Sequence, residues 1–187
     1  MRQRRAVGGA TAVAALVGLC ALAGCSGSHS AADSRTTTSS TSAKTTTSTS
    51  SKTTTSSAVV ATYRASWAAF EHALADANPE DPTLAATMVD PQLQSVRANL
   101  LADQQHGIVG RGATTLHPKV TAVSATTATL VDCAYSATEL VYEATGKPVP
   151  PVTPPENDGV TATMVLSGGT WKVSKQTVTD GQCAPGS

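Results

Sequence analysis

The stretch Gly159–Asp180, "GVTATMVLSGGTWKVSKQTVTD", sets an apolar side chain at every second position: Val160, Ala162, Met164 and Leu166 alternate with polar residues as far as the pair Gly168-Gly169. Period 2 running into a two-glycine turn predicts a β-hairpin. Upstream, "TTATLVDCAYSATELVYEA" reads as one long strand or two with a bend between them. "TTLHPKVTAVSA" reads as a further strand, and Pro118, which has no N–H for a ladder, predicts that it lies at an edge. Between these runs, "TGKPVPPVTPPENDG" holds five of the ten prolines and no apolar period, the composition of an exposed loop.

Before Gly112 the period is that of a helix. Val60, Tyr63, Trp67, Phe70 and Leu74 are spaced three and four apart and form one stripe, with Ser56 or Ser57 as N-cap and an end near Asn78 set by Pro79. Asp81-Pro82 and Asp90-Pro91 each place a capping carboxylate before a proline at the first helical position. The first of these two helices is short and buries Leu84, Met88 and Val89. The second runs to about His106, presents Leu93, Val96, Leu100 and Leu101 as its apolar face and stops at Gly107. Three N-terminal helices followed by about four antiparallel strands predict an α+β domain rather than a doubly wound sheet.

The N-terminal part of the chain is of another kind. "MRQRRAVGGATAVAALVGLCALAGC" is a basic start, an apolar run and a small-residue end, the three parts of a secretory signal. An uncleaved anchor is the alternative, since the run from Ala6 to Gly24 approaches the length of a bilayer span. Leu22, Ala23, Gly24 and Cys25 resemble the lipobox of bacterial lipoproteins. That resemblance implies cleavage between Gly24 and Cys25 and a diacylglyceryl thioether on Cys25. Acyl chains contribute roughly 0.8 kcal/mol per buried methylene, enough for stable anchoring on the outer face of the cell membrane. Cys20 leaves with the signal. Residues 26–57 are mostly Ser and Thr with almost nothing apolar, "KTTTS" occurring twice, and a segment that polar cannot offset its ordering entropy by burial. The organisation expected is therefore a signal peptide at 1–24, a lipidated cysteine and disordered tether at 25–57, open to O-glycosylation, and a folded domain at 58–187.

Charge and cysteines narrow the function classes. From Ala58 onward 7 Lys and Arg face 12 Asp and Glu, with no basic patch and no aromatics interleaved with cations, so nucleic acid is not an expected partner. The histidines His29, His72, His106 and His117 are scattered and no cysteine pair has CxxC spacing, so neither a metal nor any other cofactor is expected. Cys133 and Cys183, remote in sequence in an exported chain, read most simply as one disulfide.

Helices followed by a curved antiparallel sheet are the order of the nuclear transport factor 2-like cone fold, which also includes ketosteroid isomerases and dehydratases. More narrowly, "YRASWAAFEHAL", "LHPKV", "TATLVDCAYS", "TGKPVP", "GGTWKVSKQTV" and the late "GQC" resemble a group of actinobacterial exported proteins and lipoproteins of unknown function with that predicted fold. The resemblance spans roughly Val59 to Cys183. It implies the pairing of Cys133 with Cys183, and a pocket between sheet and helices.

Within such a pocket Asp132 is the one candidate general base. Strand alternation puts it on a face with Leu130 and Ala134, where a carboxylate among apolar groups has a raised pKa; the competing reading has it cap a loop or meet a cation at the rim. Tyr63, Trp67 and Tyr142 are candidate pocket-lining residues, against the reading that aromatics on a helical stripe are core. His117 is read as a surface residue. No residue of the superfamily's catalytic positions carries over. The function expected is a non-catalytic binding or interaction module of the cell envelope, with an envelope protein or a small apolar ligand as partner; the alternative is an isomerase or dehydratase using Asp132.

Overall fold

The computed structural model describes residues 48–152, 154–181 and 183–184. The signal segment, the Gly24–Cys25 cleavage position and residues 26–47 of the tether lie outside the described residues.

Three helices, α1 (Ser48–Ala75), α2 (Pro82–Thr87) and α3 (Gln92–Gln105), and seven strands make up the described chain. The strands are β1 (Ile108–Arg111), β2 (Thr114–Thr115), β3 (Lys119–Val123), β4 (Thr127–Ser136), β5 (Glu139–Tyr142), β6 (Glu156–Ser167) and β7 (Thr170–Thr179). The class is α+β, with every strand pair antiparallel. The main sheet has five strands, in the order β2-β4-β6-β7 with β3 also on β4, and β1 pairs with β5 in a sheet of two.

This corrects the expected sheet of about four strands, for reasons that are local. Pro118 cannot donate to a ladder, so "TTLHPKVTAVSA" is not one strand. It splits into β2, paired with Tyr135 and Ser136, and β3, paired with Ala128 to Val131 along the same edge of β4. β1 is four residues long, too short for a period to be read from sequence. Bulges at Val120/Ala122 and Thr163/Met164 insert extra residues and bend the sheet. The β6–β7 hairpin turns on Gly168 and Gly169, both at positive φ (59° and 79°), as a two-residue hairpin loop requires.

The helix starts also differ from expectation. α1 begins at Ser48 rather than beside Ser57, so the last ten residues of the expected tether, 48–57, are helical. Ser and Thr are poor helix formers, but extending an existing helix needs no new nucleus. Here the Ser57 hydroxyl also donates back to the Thr53 carbonyl (3.0 Å), a bond made within the helix. α2 starts as the sequence predicts, with the Asp81 carboxylate accepting from the Thr83 N–H (2.9 Å) and Pro82 following. α3 starts one residue late: the Pro91 carbonyl, accepting from the Ser95 N–H, occupies the cap position, and no side chain caps it.

The helices cover the inner face of the main sheet. Val59, Tyr63, Trp67 and Leu74 of α1 pack with Leu84, Met88, Val96 and Leu100 on Leu130, Ala162, Met164 and Val173. Leu101, expected on the apolar face of α3, is 45 % exposed. The open edge of β7 is partly satisfied by the link between α2 and α3 and by the start of α3: the Val89 N–H donates to the Val173 carbonyl (3.0 Å), and the Gln176 N–H donates to Gln92 Oε1 (2.8 Å). These two bonds cover the middle of an edge that would otherwise present a ladder to another chain. Ala77, Val109 and Val141 form a second small core under the two-stranded sheet.

Candidate functional site

Asp132 sits at the middle of β4, opposite Val160 of β6, and is 5 % exposed. The break at Pro118 explains its partners. Residues 116–118 leave the ladder across from Asp132, so the His117 N–H has no backbone carbonyl to meet and donates instead to Asp132 Oδ1 (2.6 Å). From the other side Tyr63, fully buried on α1, donates its hydroxyl to Asp132 Oδ2 (3.0 Å). Both carboxylate oxygens are thus engaged, one by a loop and one by a helix.

Burial raises the Asp132 carboxyl above the ordinary range, while the bonds from His117 and Tyr63 pull it back. Burial, reinforced by the neighbouring carboxylate, likewise pushes the Tyr63 phenol well up, so Tyr63 stays a neutral donor. His117 itself is exposed, as read from sequence, with its ring Nδ1 3.1 Å from the Cys133 carbonyl. A carbonyl only accepts, so the bond places the proton on Nδ1. His117 is the member of this cluster that its sequence position does not disclose by itself. The signal was Pro118, which frees the preceding N–H opposite an acidic residue.

The three candidate pocket residues are not brought together. Tyr63 and Trp67 are core residues of α1, their rings edge to face with centroids 6.4 Å apart, and Trp67 meets Phe70 in the same way. Tyr142 lies on β5 in the two-stranded sheet, 40 % exposed, apart from that aromatic row. Two surface grooves, of about 370 Å³ between Pro79 and Leu101 and about 550 Å³ between α1 and β3, are lined by none of Asp132, Tyr63, Trp67 or Tyr142.

Cys133, buried on the opposite face of β4 from Asp132, is bonded to Cys183, which ties the C-terminal segment to the sheet. Among the described residues no group of three or more His, Cys, Asp or Glu is arranged to hold a metal ion. Among them, too, no helix is long and apolar enough to cross a membrane. Cys25 lies outside the described residues.

No protein-family model matches the chain, and no relative is found among curated proteins. Solved structures do superpose. The intermembrane space region of the chloroplast protein ARC6 matches 67 % of this chain and 96 % of its own at a TM-score of 0.55, with 14 % identity. The two share a fold. A Streptomyces avermitilis protein, provisionally assigned as a dehydratase of the NTF2-like family, covers 69 % of this chain and 97 % of its own at 12 % identity and a TM-score of 0.46. A Novosphingobium aromaticivorans protein, provisionally assigned as a scytalone dehydratase, covers 71 % and 87 % at 17 % identity and the same TM-score.

Proposed function

We propose that this chain is an envelope lipoprotein, held through an acylated Cys25 on the outer face of the cytoplasmic membrane, whose nuclear transport factor 2-like domain is a non-catalytic binding or interaction module. One observation carries the second half of this reading: the only carboxylate singled out as a base, Asp132, is closed off. Its two oxygens are taken by Tyr63 and His117, Tyr63 and Trp67 fill the core, and Tyr142 stands apart on the two-stranded sheet. Its role is to join α1 to the strand break, and binding then falls to the surface.

The isomerase or dehydratase reading keeps one observation in its favour, the raised carboxyl of Asp132 on the helix-facing side of the sheet. A substrate would have to displace the Tyr63 hydroxyl from Oδ2 to use it.

Photo-crosslinking in intact cells separates the two. A module should give the same crosslinked partners with Asp132→Asn as with the native chain. Loss of function in that variant, with its fold and its crosslinks intact, would assign Asp132 to chemistry and overturn the reading. For the anchor, Cys25→Ala should accumulate uncleaved precursor or release the protein from the membrane fraction; normal processing with normal retention refutes it.

A further inference from the structure

α1 carries two stripes. The first, Val59, Tyr63, Trp67 and Leu74, is buried in the core. The second, displaced around the helix, runs through Thr53, Ser56 and Ser57 to Val60, Ala61 and Arg64, again at three- and four-residue steps. Together with Val120 of β3 it lines the groove of about 550 Å³. Its chemistry is sorted along its length: hydroxyls at the N-terminal end, a short apolar floor of Val60, Ala61 and Val120, then one guanidinium.

Charge separates this groove from the other one. The groove between Pro79 and Leu101 carries Glu80 and Asp90 against Arg97, and Arg97 is already paired with Glu80 (3.5 Å). The α1–β3 groove has no acidic residue in its lining, and Arg64 is exposed and makes no salt bridge among the described residues. Arg64 feels the buried Asp132 carboxylate electrostatically but makes no ion pair with it, and an exposed cation so placed beside a hydroxyl donor suits an anionic group on an apolar stem. The apolar floor, three side chains long, suits the upper part of an acyl chain and not a whole one.

Chain connectivity says what such an occupant would be. Ser48, where α1 begins, follows Cys25 by 23 residues, so a lipid on Cys25 keeps the entrance of α1 within about 80 Å of the bilayer however those residues are arranged. The groove is lined by residues 53–64 of that same helix, the element of the described domain nearest the anchor along the chain.

We infer that the α1–β3 groove is a membrane contact, seating the phosphate headgroup of an anionic phospholipid with Arg64 as its cation and the Ser56 hydroxyl as a donor. The inference rests on the lipoprotein reading, because the anchor is what brings the bilayer within reach. It names the first partner of the tethered domain as the membrane itself.

The test uses the full processed chain reconstituted on vesicles of phosphatidylcholine, with or without an equal part of phosphatidylglycerol, that contain a trace of headgroup-photoactivatable phosphatidylglycerol. Adducts mapped by peptide mass spectrometry should fall on the peptides bearing Val60 to Arg64 and Val120. One basic residue near an anionic surface is worth about 1 kcal/mol, so Arg64→Ala should lower that yield about fivefold while Arg64→Lys keeps most of it. Salt at about 0.5 M, where screening reaches only a few Å, should act like Arg64→Ala on the native chain. Circular dichroism of the exposed-site variants checks that the fold is kept.

Adducts spread evenly over the domain, or equal yields from native chain and Arg64→Ala, would overturn the inference. So would full protection of the groove by millimolar inorganic phosphate, which would make it a free-anion site. A dimer that Arg64→Glu dissociates would overturn it too, by assigning the groove to a second copy. The intact mass of the purified chain reports acylation of Cys25 separately, so a failure of the anchor and a failure of the groove are read on different instruments.

Discussion

Tyr63 Oη on α1 and Asp132 Oδ2 on β4, 69 residues apart in sequence, are hydrogen-bonded at 3.0 Å in the interior between helix and sheet. The bond belongs to a three-part joint, since the His117 N–H holds the other oxygen at 2.6 Å. Removing the acceptor altogether leaves the buried Tyr63 hydroxyl and the part-buried His117 N–H unpaired, so Asp132→Ala should lose about 2–4 kcal/mol in urea unfolding. Asp132→Asn keeps an oxygen for His117 and offers an N–H to the Tyr63 hydroxyl, and should lose far less.

The same joint sets a pH dependence whose sign can be worked out. The folded-state pKa of Asp132 is raised, chiefly by burial. Its contribution to stability is therefore fully present below the unfolded value of about 3.9 and is lost as pH rises through the folded value. Asp132→Asn removes that loss, so relative to the native chain it should gain stability as pH rises above about 4. If the variant instead falls further behind toward neutrality, the two hydrogen bonds outweigh burial and the ionised form is the one that holds the joint.

Asp81 should behave in the opposite sense. Its carboxyl is lowered, first by the Thr83 hydroxyl and then, against the cost of burial, by the Thr83 N–H and by His72, whose Nδ1 is 2.7 Å away. A depressed acid stabilises above its unfolded pKa and loses that contribution as pH falls through its folded one. Asp81→Ala should cost about 1 kcal/mol near neutral pH, the usual worth of an N-cap. That cost should shrink on acidification below about pH 4; a cost that stays constant to low pH would show the cap to be mainly packing.

Cys133 and Cys183 close a loop of 50 residues that includes β5, β6 and β7. In the chain-entropy account a loop of that size is worth roughly 4 kcal/mol, a large share of the stability of a single domain. The double variant Cys133→Ala/Cys183→Ala should lower the urea midpoint accordingly, with an unchanged far-ultraviolet spectrum in the absence of denaturant. A loss under about 1 kcal/mol would mean that the unfolded chain is already compact across this span.

How far each element could be read in advance follows from how much of its cause is local. The β6–β7 hairpin and the stripe of α1 have their whole pattern within 22 and 15 residues, and hairpin and helix form where the alternation and the three-four spacing put them. Two members differ: Val59 is buried in place of Val60, which lines the α1–β3 groove, and Leu166 is exposed near the hairpin turn. Leu101 fits the helical period as well as Leu100 does, yet is exposed, because what decides its burial is how far the sheet extends under α3. The start of α1 escaped for a related reason. The Ser/Thr composition of 48–57 argues for a tether, whereas the Thr55 and Ser56 side chains are half-buried against the domain, a tertiary effect that composition does not carry. At the candidate site, Asp132 was legible as an acid on an apolar face, but its closure by Tyr63 and His117 was not. It depends on a helix 69 residues away and on a strand break 15 residues away.

The join between the two sheets rests on a glycine whose replacement separates two physical effects. Gly112 lies between β1 and β2 at φ 102°, and a Cβ built there runs into the Ala137 carbonyl oxygen, in the link between β4 and β5. Gly146 also has positive φ (65°), but a Cβ there meets nothing within 4 Å. Alanine at Gly146 bears only the left-handed backbone, about 1–2 kcal/mol. Alanine at Gly112 bears a less accessible backbone region and must also push two backbone segments apart, a contact no side-chain rotation relieves, so its loss should exceed that of Gly146→Ala by at least about 1 kcal/mol. Urea midpoints compared at matched slopes decide this. Equal losses would show that the β1–β2 and β4–β5 links yield freely, and that the two sheets are not held in fixed relation by this contact.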